Sequence, residues 1–159
     1  MDKIPSFQKD HDKLQPGFHF SGFNCGVATF DLRFKKPNAG DFVSPAASHS
    51  IEHMMATALR NGKYKANIVY FGPMGCRTGF YLLTSGLSFA DALDATLSAL
   101  AECGKFEKVP GAEKRECGNY LDHDLAGAKA ECAAYLRLLG SLPAEALGAE
   151  REAMREAER

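Results

Sequence analysis

Two histidines four residues apart, with a glutamate between them, are the densest chemistry in the chain: His49-Ser50-Ile51-Glu52-His53. In a helix, residues i and i+4 lie on one face, about 40° apart. His49 and His53 can therefore hold one metal ion. Glu52 follows His49 by three residues and lies about 60° to its other side, where it can reach a metal-bound water without being a ligand. The spacing H-x-x-E-H is the inverted form of the zinc-peptidase motif H-E-x-x-H. The plain alternative is a solvated helix face that happens to carry these residues. Against it, the chain has only five histidines, and two of them fall at ligand spacing. A catalytic metal site takes three protein ligands and keeps one position open. The third ligand must come from elsewhere: the cysteines, the acidic residues and His123 are all candidates, and spacing does not choose among them.

A second reactive group is Cys76, in the run Gly72-Pro73-Met74-Gly75-Cys76-Arg77-Thr78-Gly79. Flanking glycines allow unusual dihedrals and close approach of a ligand. An exposed thiol near a cation ionises at neutral pH. Arg77 is its neighbour, but strand neighbours point to opposite faces, so a nearby metal is the expected partner of a Cys76 thiolate. A buried structural thiol is the competing reading. The same reading is the simplest one for Cys25, Cys103 and Cys132. His19 and His123 read most simply as surface or hydrogen-bonded residues.

Elements must place these groups. Ser44 suits an N-cap and Pro45 the first helical position, so the helix bearing His49 and His53 starts there and stops at Asn61-Gly62. Residues 24–36 show partial alternation and read as a strand. Residues 66–73 and 77–84 read as two more, with Pro73 to Cys76 as the turn between them. A second helix begins at Ser88 and runs to Gly104, a third spans 124–139, and residues 141–159 form an extra C-terminal helix. Residues 1–23 read as an irregular arm. The pattern is α+β, a single domain over 1–159, with an antiparallel sheet and helices on one face.

The bulk numbers narrow the class. The chain has 159 residues, is 45% hydrophobic and carries a formal net charge of −1, which favours neither nucleic acid nor an acidic membrane surface. No apolar run approaches the ~18 residues of a membrane span, and the polar N-terminus lacks a signal-peptide core. A cytoplasmic protein is expected. Five cysteines without an export signal argue against a disulfide framework.

Five motifs in order resemble the S-ribosylhomocysteine lyase family, over about residues 4–140. Ser6-Phe7 with Asp10-His11 is similar to its S-F-x-x-D-H, and Phe30-Asp31-Leu32-Arg33-Phe34 to its F-D-x-R-F. His49 to His53 resembles its H-T-x-E-H, with Ser50 for threonine. Pro73 to Tyr81 resembles its P-M-G-C-x-T-G-[FY]-Y, and Cys117-Gly118 with His123-Asp124-Leu125 its C-G…H-x-L. Two features depart from the family: Tyr70-Phe71-Gly72 stands where D-I-S is usual, and the tail beyond about 140 does not match.

The resemblance implies metal ligands His49, His53 and Cys117. It implies Cys76 and Glu52 as the acid–base pair, and Ser6, His11 and Arg33 along the substrate pocket. It also implies a homodimer with sites at the subunit interface, an inverzincin-related fold, and Fe2+ that Zn2+ or Co2+ can replace, one ion per subunit. The implied reaction cleaves the thioether of S-ribosylhomocysteine without redox chemistry, releasing homocysteine and 4,5-dihydroxy-2,3-pentanedione, the autoinducer-2 precursor. Two other readings compete: an inverzincin-type metallopeptidase, and an inactive metal-stabilised binding module whose ion would be closed by a fourth ligand such as Cys76.

Overall fold

The computed structural model describes residues 10–159, so Ser6 lies outside the described residues. The chain opens with a hairpin of β1 (Gly17–Asn24) and β2 (Val27–Arg33). It continues through α1 (Pro45–Asn61), a second hairpin of β3 (Ile68–Pro73) and β4 (Gly79–Thr84), then α2 (Phe89–Cys103), α3 (Leu125–Gly140) and α4 (Ala144–Ala157). The four strands form one sheet in the order β1-β2-β4-β3, and every neighbouring pair is antiparallel. The α+β class expected from the sequence is the one observed.

Alternation along the strands sorts two faces. Phe18, Phe30, Leu32, Phe80, Leu82 and Phe71 are buried and form one core with the apolar sides of the helices. Phe18 stacks on Phe30 with centroids 5.1 Å apart, Phe71 on Phe80 at 5.3 Å, and Phe34 on Tyr135 of α3 at 3.9 Å. The other face carries His19, Asp31, Arg33 and Tyr81, with His19 opposite Asp31 and Asp31 opposite Tyr81 in register.

The helix carrying the H-x-x-E-H motif starts and stops where its signals require. Ser44 Oγ accepts from Ala47 N–H at 3.2 Å with Pro45 in the first turn. Ile51, Met54, Met55, Ala58 and Leu59 turn inward, which leaves His49, Glu52 and His53 half-buried on the opposite side. Ser88 caps α2 and Asp124 caps α3 through side-chain bonds to Asp91 N–H and Gly127 N–H.

Three sequence expectations are corrected. The N-terminal arm is not irregular to residue 23, because β1 already begins at Gly17. The strand expected from residue 24 starts at Val27, after a turn in which Cys25 and Gly26 take φ values of 51° and 78°. Cys25 is thus an exposed turn residue rather than a core thiol, whereas Cys103 and Cys132 are buried as expected. The C-terminal helix is present as α4, covering the edge strand β1.

Candidate metal centre and thiolate site

His49, His53, Cys117 and His123 offer one ligand atom each, and these atoms all lie within 4.8 Å of one another. Two come from one face of α1. The other two come from the loop before α3, which bends back over that face. Cys117 Sγ is 3.4 Å from His49 Nε2 and 3.8 Å from His123 Nε2. Zn–N bonds of about 2.0–2.1 Å and a Zn–S bond of about 2.3 Å put neighbouring donors of a tetrahedron about 3.3–3.7 Å apart, and the two sulfur–nitrogen distances are close to that range.

The orientation of each ring is built in. His49 Nδ1–H donates to Asp122 O at 2.8 Å, and His53 Nδ1–H donates to Pro110 O at 2.8 Å. A donating Nδ1 fixes the tautomer that leaves the Nε2 lone pair for a metal. Gly111 follows the Pro110 carbonyl with φ +68°, and a Cβ there would come within 3.3 Å of His53 Nδ1. Only glycine takes that conformation cheaply. Burial and the neighbouring His49 and His53 rings push His123 below the usual histidine value, toward the neutral form that binds metals. Imidazoles with a thiolate suit Zn2+, Fe2+ or Co2+, so the donor set fits a metal cofactor.

His123 is the residue sequence reasoning undervalued. It stood among the possible third ligands, yet its simplest reading was a surface or hydrogen-bonded side chain. The loop from Cys117 to Asp124 brings it into the group instead. Its position six residues after Cys117 was the available signal, but loop spacing carries no fixed geometry.

Cys76 belongs to a second cluster. Its sulfur is 3.1 Å from Thr78 Oγ1 and 3.7 Å from Arg33 Nη1. Arg33 Nη1 also donates to Thr78 Oγ1 at 2.6 Å, while Nε and Nη2 grip Asp31 at 3.1 and 2.6 Å. The guanidinium is 2% exposed. Burial raises the Cys76 thiol, but hydrogen bonds from Thr78 and the charge of Arg33 outweigh it, and the net shift is downward. The cation beside Cys76 is therefore Arg33, from the end of β2. Arg77 turns away over Phe42, 5.6 Å from the ring centroid. Backbone strain in this turn sits at Arg77, with φ 58°, rather than at Gly75.

The two clusters approach each other. A cleft of about 320 Å³ is lined by His49 and Glu52 on one side and Pro73, Met74, Gly75 and Arg77 on the other. The turn that carries Cys76 thus borders the metal group and Glu52. His11 sits half-buried in the turn before β1. Tyr70, at the departure from the family pattern, is exposed. Its ring lies over Gly72, in the space a side chain there would need, so the two departures in this run accommodate each other.

The fold and the two clusters define a class: a small α+β chain with a metal-binding group built from one helical turn and a distant loop, beside an activated thiol. A family model described as S-Ribosylhomocysteinase (LuxS) matches residues 4–142. The S-ribosylhomocysteine lyase of Borrelia garinii subsp. bavariensis is 46% identical over 154 residues, covering 92% of this chain and 98% of that protein. That of Finegoldia magna is 40% identical, covering 92% and 97%, and that of Phocaeicola vulgatus 46%, covering 86% and 89%. The chain belongs to the S-ribosylhomocysteinase family.

Proposed function

We propose that this chain cleaves the thioether of S-ribosylhomocysteine, giving homocysteine and 4,5-dihydroxy-2,3-pentanedione. The observation that carries the reading is a His/Cys donor group whose helix lines one side of a cleft with His49 and Glu52, while the turn bearing a thiol lowered by Thr78 and Arg33 lines the other. A peptidase site needs no such thiol.

An unactivated thioether leaves only when a carbonyl stands next to an acidic carbon. His49, His53 and Cys117 would hold the divalent ion, Fe2+ or a substitute such as Zn2+ or Co2+, which supplies Lewis acidity to the sugar oxygens. Cys76, whose thiolate form Thr78 and Arg33 favour, takes a proton from one sugar carbon and returns it to the next. Glu52, on the other wall, does the same on the following carbon. The carbonyl moves from carbon 1 to carbon 2 to carbon 3. Loss of the proton on carbon 4 then expels the sulfur on carbon 5, which leaves as the homocysteine thiol. Ser6, His11 and Arg33 are proposed to hold the substrate.

A homodimer with its sites at the subunit interface is part of the proposal. Val69 and Tyr70 lie exposed on β3, an edge strand, and an apolar sheet edge of this kind calls for a cover. Among the described residues no helix is long and apolar enough to cross a membrane, and a cytoplasmic enzyme is the reading that fits. Its product would feed autoinducer-2 signalling or the recycling of homocysteine.

The test is incubation of the metal-loaded protein with S-ribosylhomocysteine and a thiol reagent. Stoichiometric release of homocysteine is expected. Absence of release from a protein that binds one ion per chain would favour the metal-stabilised binding module, for which the fourth donor, His123, is the one favouring observation.

A further inference from the structure

We infer that Lys35 is a positioning residue for the thiol: it ties the segment between β2 and α1 to α3, and that segment holds the backbone that follows Cys76. The inference rests on the role proposed for Cys76 and deepens it by naming what keeps the sulfur in place.

Within the turn that bears Cys76, Met74 N–H donates to Gly79 O at 2.9 Å and Arg77 N–H to Met74 O at 3.0 Å. Bonds from outside the turn complete the hold. Lys35 N–H donates to Thr78 O at 2.9 Å and Val43 N–H to Arg77 O at 3.0 Å. Residues 35–43 therefore run as a strap beside the turn, and the carbonyls they grip belong to the two residues after Cys76. Phe42 adds its ring under the Arg77 guanidinium, 5.6 Å from centroid to carbon. Arg77 sits at φ 58°, a conformation that a non-glycine residue keeps only where its surroundings impose it. Thr78 lies 3.1 Å from the sulfur through its hydroxyl and accepts from Arg33, so a shift of its backbone reaches the thiol directly.

The strap has neither helix nor strand of its own, and it turns through Asn38 and Gly40 at φ 60° and 81°. Something must stiffen it. Lys35 Nζ is 3.0 Å from Glu131 Oε2 on α3 and 3.1 Å from Asp41 Oδ2 near the strap's far end. One ammonium thus closes the strap on itself and pins it to a helix. Phe34, the preceding residue, stacks on Tyr135, one turn beyond Glu131 on α3. The lysine side chain is 17% exposed and Glu131 22%, and lysine is rarely so covered unless paired. Burial opposes the charge, but Glu131 and Asp41 outweigh it and hold the ammonium above its usual range.

The plain alternative is an ion pair that only stabilises the fold. Its placement argues for more. The main chain of Lys35 bonds to the thiol's turn while its side chain bonds to α3, so loss of the side chain loosens the strap at the point where it grips Thr78.

The test uses the full, metal-loaded chain and reads homocysteine release and the pH midpoint of iodoacetamide labelling, followed on the peptide that contains Cys76. The groups facing the sulfur are Thr78 and Arg33 beside it, Tyr81 from β4, and Glu52 across the cleft. Lys35 bonds instead to Asp41 and Glu131. In Lys35→Met, kcat should fall about tenfold or more with KM changed by less than about threefold, the mark of misplacement rather than lost binding. The labelling midpoint should move upward. Lys35→Arg should restore most of the rate, and Lys36→Met, at an exposed neighbour, should match wild type. Glu131→Met should also move the midpoint upward. A bare charge effect would move it in opposite directions in Lys35→Met and Glu131→Met, and that result would overturn the inference. So would wild-type kcat and midpoint in folded Lys35→Met, whatever its melting temperature. Should either variant fail to fold by circular dichroism, Asp41→Ala, which cuts only the strap's tie to itself, is expected to give a smaller upward shift, and an unshifted midpoint there would overturn the inference. If wild type releases no homocysteine, the proposed reaction fails, while the midpoints still decide the role of Lys35, because labelling needs no turnover.

Discussion

Arg33 brings Nη1 within 3.7 Å of Cys76 Sγ and 2.6 Å of Thr78 Oγ1 while its opposite edge is clamped by Asp31. Arginine only donates, so Thr78 receives the guanidinium proton and has its own to give to the sulfur. Both interactions favour thiolate, and they hold the Cys76 thiol below its usual range against the effect of burial. In Arg33→Met the midpoint of iodoacetamide labelling of Cys76 against pH should move upward. The linkage has a definite sign. A thiol with a depressed folded value contributes stability that is present above the unfolded value and lost as pH falls through the folded one. Arg33→Met should remove that dependence, visible in urea melts across pH. An unchanged labelling midpoint would show that Arg33 does not activate the thiol.

Removal of the thiol separates chemistry from metal binding. Cys76 lies outside the donor group, so Cys76→Ala should retain one ion per chain by atomic absorption. Homocysteine release should drop by about 10²–10⁴-fold, the usual contribution of a positioned acid–base group. Near-normal turnover would remove Cys76 from the mechanism.

The ring braces make a different prediction. Gly111 has φ +68°, and a Cβ there would crowd His53 Nδ1 at 3.3 Å. Gly111→Ala should loosen the bond from His53 to Pro110 O, with metal affinity falling about 10–100-fold, as for other changes beside a ligand. The metal-free variant should lose only about 1 kcal/mol of stability, the cost of a non-glycine residue in this region. Chelator competition and denaturant melts read the two effects separately.

What the sequence made legible was whatever is local. Ser44-Pro45 and Asn61-Gly62 bracket α1 because caps are short-range chemistry, and His49 and His53 share a face because helix geometry is fixed. Cys117 was reached only through family resemblance, since no local rule links it to His49, 68 residues upstream. The contact between Arg33 and Cys76 depends on β2 pairing with β4, and strand order was not readable. β1 was missed although Phe18 and Phe20 alternate with His19 and Ser21. Pro16 and Gly17 read as turn residues of an irregular arm, yet the strand begins at Gly17 and continues past a slip in pairing between Phe20 and Gly22. His123 failed for a related reason: only the folded loop decides which way a loop side chain points.

The tail yields the last prediction. Met154 is the one buried residue of α4, so this helix needs a second anchor, and Glu150 supplies it. One oxygen accepts from His19 Nδ1–H at 2.7 Å and the other from Phe20 N–H at 2.8 Å. His19 Nε2–H donates to Gln15 O at 2.9 Å. With both ring nitrogens donating, the imidazolium is the form that satisfies every partner. Burial opposes it, but Glu150 and the Gln15 carbonyl outweigh burial and raise His19 above its usual value. A group raised on folding contributes stability that is complete below its unfolded value, about pH 6.5, and is lost as pH rises through the folded value. Glu150→Gln should therefore cost about 2 kcal/mol in mildly acidic solution, typical of a hydrogen bond to a charged group, and less in alkaline solution. Hydrogen exchange should accelerate in residues 144–157 ahead of the sheet. A loss of equal size at both ends of the pH range would mean that the anchor is the bond to Phe20 alone, without the charge on His19.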